Sequence, residues 1–221
     1  MLLFESIPFE VLPSIDNIIE LEHLAKEFDL TYNIHLPVDI SLTDESNLIR
    51  YKAVETIKRV IDLVSPLEPT THVLHLEYNK LSDAQDWHER TFHAVGNLVR
   101  ALDHPGKISI ETLDYPFGSI EALINEYGLS VCLDAGHLIK YGHRIKPIFE
   151  KFHDKIPLIH LHGVDFSKIP PQDHVSLDKT PENKFRDTLD VLKEFHGVVS
   201  LEVFNEKNLI SSLAWLEKLF S

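Results

Sequence analysis

The sequence predicts an α/β fold in which a parallel β-sheet is covered by helices. Short β-rich runs alternate with helical patterns along the whole 221-residue chain, and neither a linker nor an internal repeat interrupts the series. Strands that alternate with crossover helices form parallel sheets. A chain of this length is long enough to bury a substantial core. We therefore expect a single domain over residues 1–221.

Seven runs of mostly apolar residues mark the predicted strands. They cover residues 1–4, 31–36, 72–77, 107–112, 130–134, 157–163 and 198–204. Between them, amphipathic patterns predict helices, including those over residues 45–64, 83–102 and 207–220. A complete (β/α)₈ barrel needs one more unit and typically about 250 residues. The prediction is a TIM-barrel-like fold of seven β/α units that is short by its first unit, with an open doubly wound sheet as the alternative.

Charge and composition exclude several classes of partner. The chain has 21 Lys+Arg against 35 Asp+Glu, a formal net charge of −14, so we expect no nucleic-acid partner. No stretch approaches the roughly 20 apolar residues of a membrane span, and the first residues do not resemble a signal peptide. The one cysteine, Cys132, excludes an internal disulfide and suits a reducing compartment. We expect a cytoplasmic protein without a membrane partner.

Ionisable side chains lie at the ends of six predicted strands. They are His35, His75, Glu77, Glu111, Asp134, His160, His162 and Glu202. Such groups are costly beside a dry strand interior unless they are paired or bind metal. The carboxyl ends of all strands in a parallel barrel face the same side. One buried histidine is usually a satisfied core residue, but six strands with the same feature predict a site for zinc, manganese or iron.

This set of residues resembles a known superfamily. The strand-end set, with His35-Leu36-Pro37, Asp134-x-x-His137 and His174, resembles the xylose-isomerase-like barrels, and within them the apurinic endonuclease type 2 branch. Longer strings are similar to the cobamide-remodelling phosphodiesterases, among them LPSI, LDAGHLIKYG and HLHGVD. That family begins with one more β/α unit, which matches the unit that is missing here.

The resemblance implies two to three divalent ions. The implied ligands are His35, His75 and Glu111 for the first ion, Glu111, Asp134, His160 and Glu202 for the second, and His137 and His174 for the third. Glu111 would bridge two ions, and Glu111, Asp134 and Glu202 would be the catalytic residues. In the branch the third ion also takes an Asp two residues before the second His, whereas Asp173 directly precedes His174 here.

The implied reaction is cleavage of the phosphoribosyl linkage in the nucleotide loop of a corrinoid. The products would be cobinamide phosphate and the α-riboside of the lower ligand. Several ions suit phosphodiester hydrolysis because they activate water and clamp the attacking and leaving oxygens. Sugar isomerases of this fold need one ion, so a single-metal sugar or sugar-phosphate isomerase or epimerase is the alternative, and a non-catalytic barrel is a third hypothesis. An open strand edge is usually covered, so we also expect a homodimer.

Four further residues are candidates for roles beside the ligands. We expect Glu77 to orient His75, as carboxylates commonly orient ligand histidines. His162 shares a strand face with His160 and is predicted either to support a ligand or to contact substrate. Asp173 is a candidate at the third ion, and Tyr141 is a candidate wall for a large planar substrate.

Overall fold

The computed structural model describes residues 1–3, 12–78, 80, 83–115 and 117–220. The chain divides into two compact units. The first comprises Met1–Glu111 and Tyr115–Ser130, and the second comprises Thr112–Asp114 and Val131–Ser221. Phe4, the last residue of the first predicted strand, lies outside the described residues.

Four short parallel strands form the sheet of the first unit. In spatial order they are β1 (Leu2–Leu3), β2 (Ile34–His35), β3 (His72–Leu74) and β4 (Ile108–Glu111). The register pairs Leu2 with Ile34 and Leu74 with Ile110. His35 and Glu111 are the last residues of their strands, and His75 directly follows β3. Parallel pairing thus brings these three polar residues to the same edge of the sheet.

Helices of the first unit follow the predicted pattern. They are α1 (Ile15–Phe28), α2 (Asn47–Val64), α3 (Ala84–Val99) and α4 (Glu121–Tyr127). The helix α3 begins after Asp83, whose carboxylate accepts hydrogen bonds from the backbone N–H groups of Gln85 and Asp86. Such N-caps satisfy donors that the first helical turn leaves unpaired. The two long helices predicted over 45–64 and 83–102 are thereby confirmed with small changes at their ends.

Three parallel strands and a hairpin form the β-structure of the second unit. The parallel strands are β5 (Ser130–Asp134), β6 (Leu158–Leu161) and β9 (Val198–Leu201), and the hairpin strands are β7 (Gly163–Asp165) and β8 (Gln172–Val175). The register of β5 and β6 pairs Asp134 with His160. The helices are α5 (Ala135–Tyr141), α6 (Ile145–Phe152), α7 (Glu182–Glu194) and α8 (Glu206–Phe220).

The antiparallel hairpin β7–β8 is not predicted by the sequence, which indicates one strand over 157–163. The strand β6 ends at Leu161, and the chain changes partner at Gly163, which pairs with Val175. A Cβ atom at Gly163 would lie 2.1 Å from the carbonyl oxygen of Ser176. Only glycine therefore allows the two strands to approach this closely. The hairpin places His174 in a regular element rather than in a loop.

Both units alternate parallel strands with helices, which confirms the predicted α/β fold of the TIM-barrel type. Within the described part of the chain, no helix has the length and apolar character needed to cross a membrane. The single domain over residues 1–221 stays a prediction.

Candidate metal centres

The first cluster lies at the strand ends of the first unit and consists of His35, His75 and Glu111. Glu111 is fully buried, and its Oε2 atom lies 2.7 Å from Nε2 of His75 and 3.2 Å from Nε2 of His35. The two imidazole rings meet edge to face, with centroids 4.7 Å apart. The structure thus brings together three residues that are separated by long stretches of sequence.

The hydrogen-bond pattern of His35 fixes which nitrogen is available as a ligand. Its Nδ1 atom lies 2.9 Å from the carbonyl oxygen of Leu36, which can only accept, so Nδ1 carries the hydrogen. In the neutral ring, Nε2 then presents a lone pair to the Glu111 carboxylate. Two tetrahedral ligands, each about 2.1 Å from a zinc ion, lie about 3.4 Å apart, so the first cluster fits a divalent ion.

The second cluster lies at the strand ends of the second unit and consists of Asp134, His160 and Glu202. Nδ1 of His160 lies 3.2 Å from Oε1 of Glu202 and 3.8 Å from Oδ2 of Asp134. His160 and Asp134 are fully buried, and Glu202 is 4% exposed. Two carboxylates at such depth need a compensating cation. Two ligands of one zinc ion lie about 3.4 Å apart, and the two distances at His160 lie on either side of that value. These donors therefore also fit a divalent ion.

Asp134 is held so that one carboxylate oxygen faces the second cluster. It is the N-cap of α5, and its Oδ1 atom accepts a 2.6 Å hydrogen bond from the backbone N–H of His137. Nε2 of His162 lies 3.2 Å from the same oxygen. The backbone N–H of Asp134 donates to Oγ1 of Thr112 at 2.8 Å. The His137 N–H therefore fixes Oδ1, while Oδ2 lies 3.5 Å from Nδ1 of His137 and 3.8 Å from Nδ1 of His160.

The outer cluster consists of His137, His162 and His174, whose candidate ligand atoms lie within 4.8 Å of one another. The rings of His162 and His174 stack with centroids 4.1 Å apart. Burial and the nearby charge of His162 lower the pKa of His174 to about 4. Burial opposes the charge on His162, but the charge of Asp134 and its hydrogen bond raise the His162 pKa above the ordinary value.

Asp173 joins the outer cluster through Lys140. Its Oδ2 atom lies 2.5 Å from Nζ of Lys140 and 3.5 Å from Nε2 of His137. Hydrogen bonds from His137 and Lys140 outweigh burial and hold the pKa of Asp173 well below its usual range. Neighbouring strand residues normally face opposite sides. Here His174 adopts a left-handed backbone, with φ of 52°, so Asp173 and His174 both approach His137.

Two other predicted residues lie apart from the three clusters. The expectation that Glu77 orients His75 is wrong: the Glu77 side chain is exposed, and among the described residues it makes no hydrogen bond or ion pair with His75. Only the backbone carbonyl of Glu77 is bonded, to Oγ1 of Thr43 and Nε1 of Trp87. Tyr141 is 37% exposed, with its ring centroid 6.0 Å from that of His137. It therefore lies beside the outer cluster, where a substrate can reach it.

Sequence reasoning missed two residues that shape these sites. Lys140 lies three residues after His137 in α5, so the two share a helix face, and that spacing was the available signal. Gly136 allows the close approach of His162, because a Cβ atom there would lie 2.2 Å from Cε1 of the His162 ring. No pattern in the sequence indicates this contact.

Comparisons with solved structures show the same fold. A D-tagatose 3-epimerase-like protein is 20% identical with a TM-score of 0.74, over 94% of this chain and 83% of that one. Endonuclease IV from Thermus thermophilus is 20% identical with a TM-score of 0.68, over 94% and 84%. An IOLI protein with a bound zinc atom is 17% identical with a TM-score of 0.64, over 96% and 83%.

Comparison with curated proteins finds no match. The family comparison is more informative, because residues 4–219 match the family described as xylose isomerase-like TIM barrel. Relatives in the comparisons include epimerases and an endonuclease, so they do not select one reaction. Since the match covers nearly all of its length, the chain belongs to the xylose isomerase-like TIM barrel family.

Proposed function

We propose that the chain is a metal-dependent phosphodiesterase that cleaves the phosphoribosyl linkage in the nucleotide loop of a cobamide. The observation that carries this proposal is the presence of two carboxylate–imidazole clusters. The first cluster provides His35, His75 and Glu111, and the second provides Asp134, His160 and Glu202. An isomerase that needs one ion has no use for His35 and His75. The bridging role of Glu111 stays a prediction.

The protein's own part in the reaction is to hold charge in fixed positions. Bound divalent ions supply activation of water and stabilisation of the charge that develops on phosphate oxygens. Asp134 and Glu202 present carboxylate oxygens toward His160 at the end of β6. Asp134 cannot turn away, because its Oδ1 atom accepts a hydrogen bond from the His137 N–H and the buried ring of His162 packs against it. Such preorganisation avoids rearrangement during the reaction.

Water then attacks phosphorus, and the bond between phosphorus and the ribose oxygen breaks. The phosphate stays on the corrinoid as cobinamide phosphate, and the ribose oxygen takes a proton to give the free α-riboside. The water supplies both the new phosphate oxygen and that proton, so the reaction needs no other reactant.

Exposed aromatic rings beside the outer cluster support a planar substrate. The Phe204 ring is 65% exposed and lies 4.8 Å from the His174 ring. Tyr141 lies on the His137 side of the same cluster. Exposed aromatic rings commonly stack on planar ring systems, and a lower-ligand base is one. The net charge of −14 argues against duplex DNA as the substrate, because DNA binding draws on basic side chains.

A sugar epimerase or isomerase is the second candidate. It is favoured by the D-tagatose 3-epimerase-like protein among the similar structures and by the completeness of the second cluster as a one-ion site. It leaves His35 and His75 without a function. The number of bound ions therefore separates the two candidates.

The test is incubation of the zinc- or manganese-loaded protein with adenosylcobalamin, followed by chromatographic separation of the corrinoids. We expect cobinamide phosphate and an α-riboside. Glu202→Gln should abolish both products, whereas Glu206→Gln, at an exposed position in α8, is the matched control and should not. Intact corrinoid together with a new ketose or epimer from a panel of sugars would contradict the proposal and favour the epimerase.

A further inference from the structure

We infer that the outer cluster does not take a third ion, and that the ammonium group of Lys140 provides a fixed positive charge in its place. The inference rests on the proposed function, because it concerns the ion count of the same site. It is not obvious from distances, since the candidate ligand atoms of His137, His162 and His174 lie within 4.8 Å of one another. Those distances alone would suggest an ion site, but the hydrogen-bond partners of the residues indicate that no ion binds there.

The carboxylate that a third ion would need is already paired with Lys140. Oδ2 of Asp173 lies 2.5 Å from Nζ of Lys140, and both side chains are largely shielded, with 24% and 19% exposure. A charge-assisted bond of this length is among the strong hydrogen bonds of proteins. An incoming ion would have to displace the ammonium group and leave it partly buried without a counter-charge.

His162 offers no lone pair to an ion at this position. Its Nδ1 atom lies 3.1 Å from the backbone N–H of His174, a donor, and 3.2 Å from the carbonyl oxygen of Gly163. If Nδ1 accepts from His174, the neutral ring carries its hydrogen on Nε2. The backbone N–H of His174 can only donate and makes the shorter of the two contacts, so Nδ1 accepts from it and the Gly163 carbonyl lies beside that bond. Nε2 therefore carries the hydrogen and lies 3.2 Å from Oδ1 of Asp134, so it presents no lone pair to an ion.

At most two ligands remain for a third ion. Nδ1 of His174 lies 3.1 Å from the carbonyl oxygen of Glu202, so it donates and leaves Nε2 available. His137 is the other, with a carboxylate oxygen of Asp134 or Asp173 at 3.5 Å from each of its nitrogens. Zinc sites normally use three or four protein ligands. Two histidines beside an ammonium group make a poor site for a dication.

The role of Lys140 is therefore to neutralise Asp173 and to fix the hydrogen-bond network around His137. His162 acts as a positioning residue, since its Nε2 atom lies 3.2 Å from Oδ1 of Asp134, a carboxylate that also approaches His160 of the second cluster. In the apurinic endonuclease type 2 branch, an Asp two residues before the second His binds the third ion, whereas Asp173 directly precedes His174 here. On this account, the shift of the Asp by one residue accompanies the replacement of the third ion by the ammonium group of Lys140.

Metal analysis of the Lys140→Met variant tests the inference, because methionine keeps the volume and removes the charge. After zinc saturation and desalting, the unmodified protein should hold about two ions per chain. Lys140→Met should hold about one more, since Asp173, His137 and His174 become available together. Lys140→Arg is the matched control and should keep the count of the unmodified protein. Lys140→Met combined with Asp173→Asn should return to that count.

The increment between variants tests the inference, and the absolute count tests the proposed function. One ion in the unmodified protein would contradict the phosphodiesterase but would leave the increment on removing Lys140 measurable. No gain in Lys140→Met overturns the inference, as does a third ion in the unmodified protein that His174→Ala removes. Should Lys140→Met fail to fold, the ring ¹⁵N resonances of the unmodified protein decide. Zinc should shift His35 and His160 strongly, whereas a shift of His174 typical of direct coordination overturns the inference.

Discussion

The second and outer clusters both lie in the second unit and both contact Asp134. We propose, however, that only the second cluster binds an ion. In the second cluster, Oδ2 of Asp134 faces His160 across 3.8 Å. On the outer side, Oδ1 of the same carboxylate accepts a hydrogen bond from the His137 N–H and lies 3.2 Å from Nε2 of His162, while Oδ2 lies 3.5 Å from Nδ1 of His137. On this proposal, the second cluster holds an ion, whereas the outer cluster is a hydrogen-bonded network around Lys140 and Asp173. Closeness of histidines does not by itself make a metal site.

The largest effect is expected on the ligand side, from Glu202→Gln. The substitution keeps the shape but removes one of the two charges beside His160, so the second ion should bind far more weakly. Turnover should fall by more than about a hundredfold, beyond the loss typical for residues that only support a ligand. Phosphodiester cleavage and metal content, with Glu206→Gln as control, check this. Full activity in Glu202→Gln would remove the second cluster from the mechanism.

Among the residues that support a ligand, His162→Phe should lower activity less than Glu202→Gln does. Phenylalanine keeps a buried ring but loses the Nε2–H that holds Oδ1 of Asp134. Loss of such outer partners typically costs about 10- to 100-fold in activity or metal affinity. The metal count at saturation should stay that of the unmodified protein, and a zinc titration of both proteins measures this. Loss of one ion at saturation would instead make His162 a ligand.

Gly136→Ala tests how closely the His162 ring packs against Gly136. The added methyl group would lie 2.2 Å from the buried ring of His162, so the ring must move. Overpacking of this kind costs about 1–3 kcal/mol of stability, and the higher helix propensity of alanine offsets less than about 1 kcal/mol of it. Urea unfolding measures the loss. Gly118→Ala is the matched control, because nothing lies within 4 Å of its added methyl group. Equal stability in the two variants would contradict the close contact.

The smallest effect is expected from His72, on the pH dependence of stability. This buried histidine lies at the start of β3, the strand that His75 follows, and extends the comparison to a histidine of the first unit. Burial, together with the charge of Lys107, lowers the pKa of His72 to about 4. The unfolded chain, with a pKa near 6.5, therefore takes up the proton first as pH falls. Stability should decline between about pH 6.5 and pH 4, and the loss at this site should reach about 1–2 kcal/mol at pH 5.5.

Replacing His72 by Gln should remove that part of the decline in metal-free protein. Urea unfolding at several pH values measures it, and His153→Gln, at an exposed histidine, is the matched control. An unchanged decline in His72→Gln would show that other groups cause it.

The sequence predicts which side chains lie together at the strand ends better than it predicts the contacts around them, and their roles as ligands stay a prediction. Asp134-x-x-His137 is visible because it combines a strand end with an N-cap and the third residue of a helix, both of which are local features. The contact of Lys140 with Asp173 depends on the β7–β8 hairpin and on the left-handed backbone of His174, which local propensity disfavours. Glu77 shows the reverse case, since its strand-end position suggested a role but its side chain turns to solvent.

Anomalous diffraction at the zinc edge from crystals of the zinc-saturated protein tests the central claim most directly. The account predicts one strong peak at the first cluster, beside His35 and Glu111, and another at the second, beside His160 and Glu202. It predicts no peak between His137 and His174. A single peak at the second cluster alone would contradict the two-cluster phosphodiesterase, and a peak at the outer cluster would contradict the role assigned to Lys140.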